Sequence, residues 1–347
     1  MDLASFWFIL IAVLFVGYFV LEGFDFGVGM LLPVLGRNDR ERRVVINTIG
    51  PVWDGNEVWL ITAGGAMFAA FPEWYATLFS GFYLPLLLIL VALIVRAVGF
   101  DYRGKRADAA WKRNWDLAII FGSYTPALLW GVAFANIVRG VPLDANHDYT
   151  GGLLNLLNPY ALLGGVTMVA LCLTHGAVFL ALKTEGEIRV RANRIAGRAG
   201  LATAVLAVAF LGWTVSSFGG TVASVVTAVV AALALAGALL ANRVGREGWT
   251  FVGTAVTIGL AVVTLFTVLF PNVMPSSTDP AHSLTVDNAS STPYTLTIMT
   301  WVALLITPVV LLYQGWTYWV FRRRIGVHHI PDDGAVSTPA GSAVGGG

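Results

Sequence analysis

Four acidic residues and one arginine lie in stretches of the sequence that are otherwise apolar. Glu22 and Asp25 stand three residues apart in the first stretch, and Asp54 and Glu57 repeat that spacing at the start of the second. Residues three apart share one face of a helix. Arg96 ends the third stretch. Buried acids with mixed protonation can pass protons, whereas a fully ionised set cannot, so these residues are candidates for a proton path.

Further polar and aromatic residues flank these acids. Asn56 lies between the two acids of the second stretch, and Asp101 follows the third stretch, so both could support the site. Trp53 and Trp59 place flat aromatic surface beside Asn56, which could contact a quinone ring. The alternative is that both are ordinary tryptophans of the membrane interface.

Composition indicates which solvent surrounds these residues. Of the 347 residues, 57% are hydrophobic and only 12% are charged, whereas a soluble domain carries about 25% charge. A chain this apolar requires lipid as its solvent. The net charge of +1 argues against nucleic acid as a partner. The single cysteine, Cys172, excludes a disulfide framework within the chain.

Nine apolar stretches approach or exceed the roughly 20 residues that a spanning helix needs. The predicted fold is therefore an all-α integral membrane protein with about nine transmembrane helices in one domain, residues 1–325. Residues 326–347, rich in Gly, Ser, Ala and Pro, are predicted to form a disordered cytoplasmic tail. The predicted spans are 5–33, 51–70, 76–98, 115–138, 155–182, 199–218, 221–241, 250–270 and 294–320.

The distribution of lysine and arginine predicts the orientation. By the positive-inside rule, loops rich in these residues face the cytoplasm. The N-terminus is then outside and the C-terminus inside. All 21 Lys and Arg residues except Arg96 and Arg139 lie in alternate segments, namely 36–50, 99–114, 183–198, 242–249 and the stretch after the last span.

This orientation places the four acids and Arg96 in the inner half of the membrane if the first three spans pack together. Other interpretations stay open. Asp54 and Glu57 could be ordinary first-turn acids that favour the helix dipole. Asp25 could form a structural salt bridge with Arg96, and Glu22 could face a partner subunit.

Metal-ligating residues are few. Of the five histidines, only His175 lies within a predicted span, and a lone histidine there is typical of a hydrogen-bonded packing residue. The alternative is an axial ligand. The sequence predicts no metal site. The others, in loops or near the C-terminus, are His147, His282, His328 and His329.

Several strings of the sequence resemble subunit II of cytochrome bd quinol oxidases. The similarity runs from the first span to the ninth and is longest in the first three. The strings are GFDFGVGML, GRNDRERRVVINTIGPVWDGNEVWLITAGGAMFAAFPEWYA, FSGFYLPLLL, RAVGFDYRGK, LLNPYALLGG, FPNVMPSST and LTIMTWVALLITPVVLLYQGWTYWVF.

The resemblance implies two four-helix bundles plus one further helix, in a bacterial plasma membrane. It implies a complex that oxidises quinol and reduces dioxygen to water with cytoplasmic protons. The haems b and d and the quinol-oxidising loop then belong to a partner, subunit I, and this chain alone holds no cofactor and is not catalytic by itself. A structural quinone is a further possibility that the family allows. Other implied partners are small accessory subunits, the quinol pool and membrane lipids.

The resemblance, applied motif by motif, makes Asp54 of WDGN the best candidate for the proton path. Asp25 of GFDFG and Arg96 of RAVGFDYR support it. Two alternatives from other classes are a proton-coupled secondary transporter and a purely structural subunit whose acids only form salt bridges. Transporters often have broken helices in two related halves, whereas the acids here are concentrated in the first three spans.

Overall fold

The structure, a computed structural model, describes residues 2–331. Residues 332–347, most of the predicted tail, lie outside the described residues. Helices dominate, as expected where backbone polar groups must be satisfied within each segment. The helices are α1 (Leu3–Leu35), α2 (Asp39–Ile49), α3 (Trp53–Ala70), α4 (Pro72–Gly81), α5 (Tyr83–Tyr102), α6 (Ala109–Arg139), α7 (Pro159–Lys183), α8 (Gly186–Ser217), α9 (Val222–Arg243), α10 (Glu247–Leu269) and α11 (Pro293–Val320).

Eight helices within residues 2–331 are long and apolar enough to cross a membrane. The chain is therefore a multi-pass membrane protein. Helix α3 is not among the eight, and its first two turns carry Asp54, Asn56 and Glu57. The count of nine spans, the division into two bundles and the orientation stay predictions.

The predicted span 76–98 is wrong in its bounds, because two helices occupy this region. Helix α4 ends at Gly81 and α5 begins at Tyr83, with Phe82 between them. Pro85 has no backbone N–H, so it cannot donate a helical hydrogen bond to the carbonyl of Gly81.

A short helix, α2, occupies the segment that was predicted as the loop 36–50. The Asn38 side chain accepts a hydrogen bond from the backbone N–H of Glu41 and so caps the helix. Val44 and Ile49 are buried on its inner face. Asn followed three residues later by Glu is a helix-start signal that the sequence does contain.

Helix α8 begins at Gly186, well before the predicted start of its span at 199. Its first turns are charged, and Glu and Arg form helices readily whether or not lipid surrounds them. The apolar pattern therefore predicts where a span lies but not where its helix begins.

Helix α1 lies at the centre of the fold, where it packs against α3, α6, α7 and α10. Its backbone lies close to that of α7. A Cβ atom added to Gly27 would lie 2.7 Å from the Cα of Gly176. Small residues at such crossings let helix backbones pack closely in a membrane.

Gly27→Ala is expected to destabilise the fold by about 1–3 kcal/mol, because the new methyl group overlaps the α7 backbone. Gly64→Ala on α3 is the matched control, since nothing lies within 4 Å of a Cβ atom there. Thermal unfolding of the two purified variants measures the difference. Equal unfolding midpoints would show that the α1–α7 crossing accommodates the added methyl group without strain.

The segment after α10 contains a small hairpin, β1 (Asn272–Met274) paired antiparallel with β2 (Leu284–Thr285). After α11 the chain stays folded to residue 331. Arg40 of α2 donates hydrogen bonds to the carbonyls of Val327 (3.1 Å) and Ile330 (2.8 Å). The folded part therefore extends past residue 325.

Candidate functional site: a buried acidic cluster

Two carboxyl side chains of α1 lie in the interior of the fold. Glu22 and Asp25 are both 0% exposed. They contact different neighbours: Glu22 accepts a hydrogen bond from Arg96 of α5, whereas Asp25 accepts one from Asn56 of α3. Helix α1 thus presents acids toward two other helices at once.

Arg96 is the cation of this cluster and is also fully buried. Besides bonding Glu22, its Nη2 atom lies 3.4 Å from Oε1 of Glu57. Its guanidinium carbon lies 4.8 Å from the ring centroid of Phe26 and 5.5 Å from that of Phe100. Ion pairs and aromatic faces therefore fix the arginine in position.

Asn56 connects the cluster to α11. Its Nδ2 atom donates to Oδ2 of Asp25 at 2.7 Å. Its Oδ1 atom accepts from the hydroxyl of Tyr318 (2.7 Å) and from Nε2 of Gln314 (3.3 Å). Trp59 in turn donates to Oε1 of Gln314 at 2.9 Å. These bonds fix the orientation of the Asn56 amide, so its NH₂ group faces Asp25.

Tyr318→Phe is expected to lower stability by about 1 kcal/mol, because Asn56 loses a hydrogen-bond donor. Tyr313→Phe, on the same helix at 68% exposure, is the control and is expected to have no effect. Thermal unfolding of the purified protein measures both. Equal midpoints for the two variants would contradict a stabilising role for the Tyr318 hydroxyl.

The remaining predicted acids lie toward the surface of the chain. Glu57 is intermediate, with its side chain 21% exposed. Asp54 and Asp101 are exposed, and within residues 2–331 the structure gives neither side chain a hydrogen bond or ion pair. Trp53 packs against Phe100 with ring centroids 5.2 Å apart.

Several buried polar atoms of the cluster have no hydrogen-bond partner in the described part of the chain. They are one oxygen each of Glu22, Asp25 and Glu57, and the Nε and Nη1 atoms of Arg96. Buried polar atoms are normally satisfied, often by ordered water. Five such atoms are concentrated at this one site.

The structure corrects three of the sequence-based interpretations. Arg96 pairs with Glu22 rather than with Asp25, and Glu22 lies inside the cluster rather than facing outward. Asp54 does not contact the buried acids. Gln314 and Tyr318 were missed, although polar groups in a long apolar helix are a signal that could have drawn attention to them.

A comparison with known families decides the family of the chain. The profile described as "Cytochrome bd terminal oxidase subunit II" matches residues 3–321. The chain belongs to this family.

Individual proteins that are similar to this subunit II chain support the same assignment. Cytochrome bd ubiquinol oxidase subunit 2 of Bacillus subtilis (strain 168) is 45% identical over 330 residues, covering 93% of this chain and 97% of that protein. Cytochrome bd-I ubiquinol oxidase subunit 2 of Escherichia coli (strain K12) is 42% identical over 356 residues, covering 92% and 94%.

A solved structure has a fold similar to that of this chain. A chain of the bd oxidase structure from Geobacillus thermodenitrificans matches with a TM-score of 0.68 at 17% identity, covering 91% of this chain and 99% of that one.

Cytochromes hold haem, so we ask whether a side chain of this subunit II chain could ligate a haem iron. His175 is 0% exposed, and its Nε2 donates to the carbonyl of Val20 at 3.1 Å while Nδ1 lies 2.7 Å from the hydroxyl of Thr254. Both ring nitrogens are therefore engaged. The part of the chain that the structure describes contains no group of three or more His, Cys, Asp or Glu that could hold a metal ion. His175, with both ring nitrogens engaged, does not fit the role of an axial haem ligand.

Proposed function

We propose that this chain is the haem-free subunit II of a cytochrome bd-type quinol:oxygen oxidoreductase in a bacterial plasma membrane. It pairs with a subunit I that holds the haems, and it contributes an acidic proton path from the cytoplasm. The observation that carries the proton path is the cluster of Glu22, Asp25 and Glu57 around Arg96.

The charge count supports proton transfer. The cluster holds three carboxyl groups but only one guanidinium, so a fully ionised cluster would hold excess negative charge in the interior. Buried charge without a partner costs several kcal/mol, and a bound proton removes that cost. The cluster is therefore suited to taking up and releasing protons.

The exposure of the acids supports an order along the path. Asp54 is exposed, Glu57 three residues later is intermediate, and Glu22 and Asp25 are fully buried. Asp54 then forms the mouth, Glu57 the next carboxyl group, and the α1 acids the inner end. Arg96 contacts both Glu57 of α3 and Glu22 of α1, and so lies where the path passes from one helix to the other.

A structural quinone at Trp53 and Trp59 stays a prediction. The indole N–H of Trp59 already donates to Gln314, and the ring of Trp53 contacts Phe100. These contacts account for both tryptophans as packing residues.

Purification from native membranes through an affinity tag on this chain tests the proposal. The expected result is co-isolation with a haem-rich partner, visible in the absorption spectrum, and oxygen consumption that depends on added quinol. A stable, haem-free preparation that exchanges solute for protons in vesicles would contradict it and favour a transporter.

A further inference from the structure

A cavity of about 380 Å³ lies where α7 and α11 end and α10 begins, at the end of the fold that was predicted to be cytoplasmic. Half of its lining side chains are apolar, namely Val52, Phe179, Leu182, Phe251 and Phe321. Phe321 is exposed whereas Val52 and Phe179 are buried, so the cavity leads from the surface into the fold. An apolar wall of this kind accommodates hydrocarbon.

Three of the polar lining side chains already have partners. The hydroxyl of Thr48 donates to a backbone carbonyl of its own helix at 2.7 Å, and that of Tyr318 donates to Oδ1 of Asn56 at 2.7 Å. Arg324 donates to Oε2 of Glu247 at 2.5 Å. The two remaining polar side chains of the lining, both cationic, therefore decide which ligand the cavity can take.

Lys183, the last residue of α7, is the first of these two cations. Its Nζ atom donates to the backbone carbonyls of Phe321 and Arg323, in the second case at 3.2 Å. These carbonyls orient the ammonium group but leave its charge intact. Because an ammonium group has three N–H donors, one remains for a ligand. Within residues 2–331 no ion pair involves this side chain.

Arg322 is the second cation, and it is exposed at the opening of the cavity. Its Nη1 atom donates to the carbonyl of Trp319 at 2.5 Å, and its guanidinium carbon lies 4.3 Å from the ring centroid of Trp319. The described part of the chain gives it no acidic partner. A guanidinium has five N–H donors in a fork that matches phosphate oxygens, so most of them remain for an anion.

Two acids lie near these two cations but do not balance them. Glu247 accepts hydrogen bonds from both Arg189 and Arg324. The Oε2 atom of Glu185 lies near Gly326, 3.5 Å from the position that a Cβ atom would take there. Even if both acids are counted in full, the two arginines on Glu247 match them in number. The charges of the two cations of the cavity therefore remain in excess.

The neighbouring surface of α11 is typical of a membrane interface. Trp316 and Trp319 are exposed near the end of this helix, whereas Leu305 and Leu312 are exposed earlier in it. Tryptophans are enriched at the level of the lipid headgroups, and exposed leucines of a spanning helix face the hydrocarbon. The cavity therefore opens at the depth of the headgroups.

We propose that this cavity binds the phosphate group of an anionic phospholipid. Lys183 and Arg322 bind the phosphate oxygens, and Phe251 and Phe321 contact the glycerol and the first methylene groups. Basic pockets between transmembrane helices bind anionic headgroups in this way. A zwitterionic lipid would bring its own cation toward the two basic side chains, and free phosphate would make no use of the apolar wall.

Native mass spectrometry of the intact complex from lipid nanodiscs tests the site. The variant is Lys183→Gln with Arg322→Gln. The control is Arg194→Gln with Arg198→Gln, two exposed arginines of α8 that change the net charge equally. In phosphatidylglycerol nanodiscs the unmodified protein and the control are expected to retain one more lipid than the variant. In phosphatidylcholine nanodiscs all three are expected to retain the same number.

A single variant guards against misfolding, because Lys183 also bonds the backbone after α11. Arg322→Gln changes one exposed side chain and is expected to lose part of the retained phosphatidylglycerol, whereas Arg194→Gln, its control, is expected to lose none. Size-exclusion chromatography reports the assembly of each sample. If the double variant does not assemble, the comparison of the two single variants decides.

A further arm separates the lipid from free phosphate. Inorganic phosphate added in excess to the phosphatidylglycerol nanodiscs is expected to leave the retained lipid in place, since phosphate lacks the contacts with the apolar wall. Displacement of the lipid by phosphate would overturn the proposal. Equal retention of phosphatidylglycerol by the assembled variant and its control would overturn it as well, and so would the same loss in phosphatidylcholine.

Discussion

Asp25→Asn is expected to leave the oxidase complex assembled with its haems but to slow quinol-driven oxygen consumption about 100-fold. Asparagine has nearly the shape of aspartate and can still accept the bond from Asn56 that holds Asp25 in place. It cannot carry a proton. An oxygen electrode measures the rate, and the haem absorption of the same sample measures assembly.

Asp101→Asn is the matched control, because this acid is exposed and has no hydrogen bond or ion pair in the described part of the chain. It is expected to keep the unmodified rate. If Asp25→Asn also kept that rate, Asp25 would not lie on the path. If it lost haem instead of rate, its role would be structural.

Arg96→Met is expected to destabilise the complex by about 3–5 kcal/mol. Methionine fills part of the same volume but leaves Glu22 buried without its cation. The double variant Glu22→Gln with Arg96→Met removes both charges and is expected to recover a large share of the loss. Thermal unfolding of the purified complexes measures each value, and Glu22→Gln alone completes the double-mutant cycle.

Arg113→Met serves as the control for Arg96, since Arg113 is exposed and has no ion pair in the described part of the chain. Its unfolding midpoint is expected to stay unchanged. A double variant no more stable than Arg96→Met alone would contradict the pairing of Arg96 with Glu22.

Apolar length predicts the later spans closely. The predicted span 221–241 corresponds to Val222–Arg243, and 294–320 corresponds to Pro293–Val320. Helix α2 and the break at Phe82 were missed. Hydrophobicity reports which segments prefer lipid, whereas helix ends depend on caps and on backbone donors such as the one that Pro85 lacks.

The site could be predicted only in part. The spacing places Glu22 and Asp25 on one face of α1, and both are buried, but it does not indicate that Arg96 bonds Glu22. The rotation of each helix decides such pairings, and the sequence of one helix does not determine it. Tyr318 bonds Asn56 across 262 positions of the chain, which local patterns cannot reveal.

Proton uptake during a single turnover tests the central claim most directly. The fully reduced complex is mixed with oxygen, and a pH-sensitive dye follows protons taken from the medium. Uptake is expected to slow about 100-fold in Asp25→Asn, to slow also in Asp54→Asn, and to stay unchanged in Asp101→Asn. Unchanged uptake in both Asp25→Asn and Asp54→Asn, with haem content intact, would contradict a proton path through this subunit.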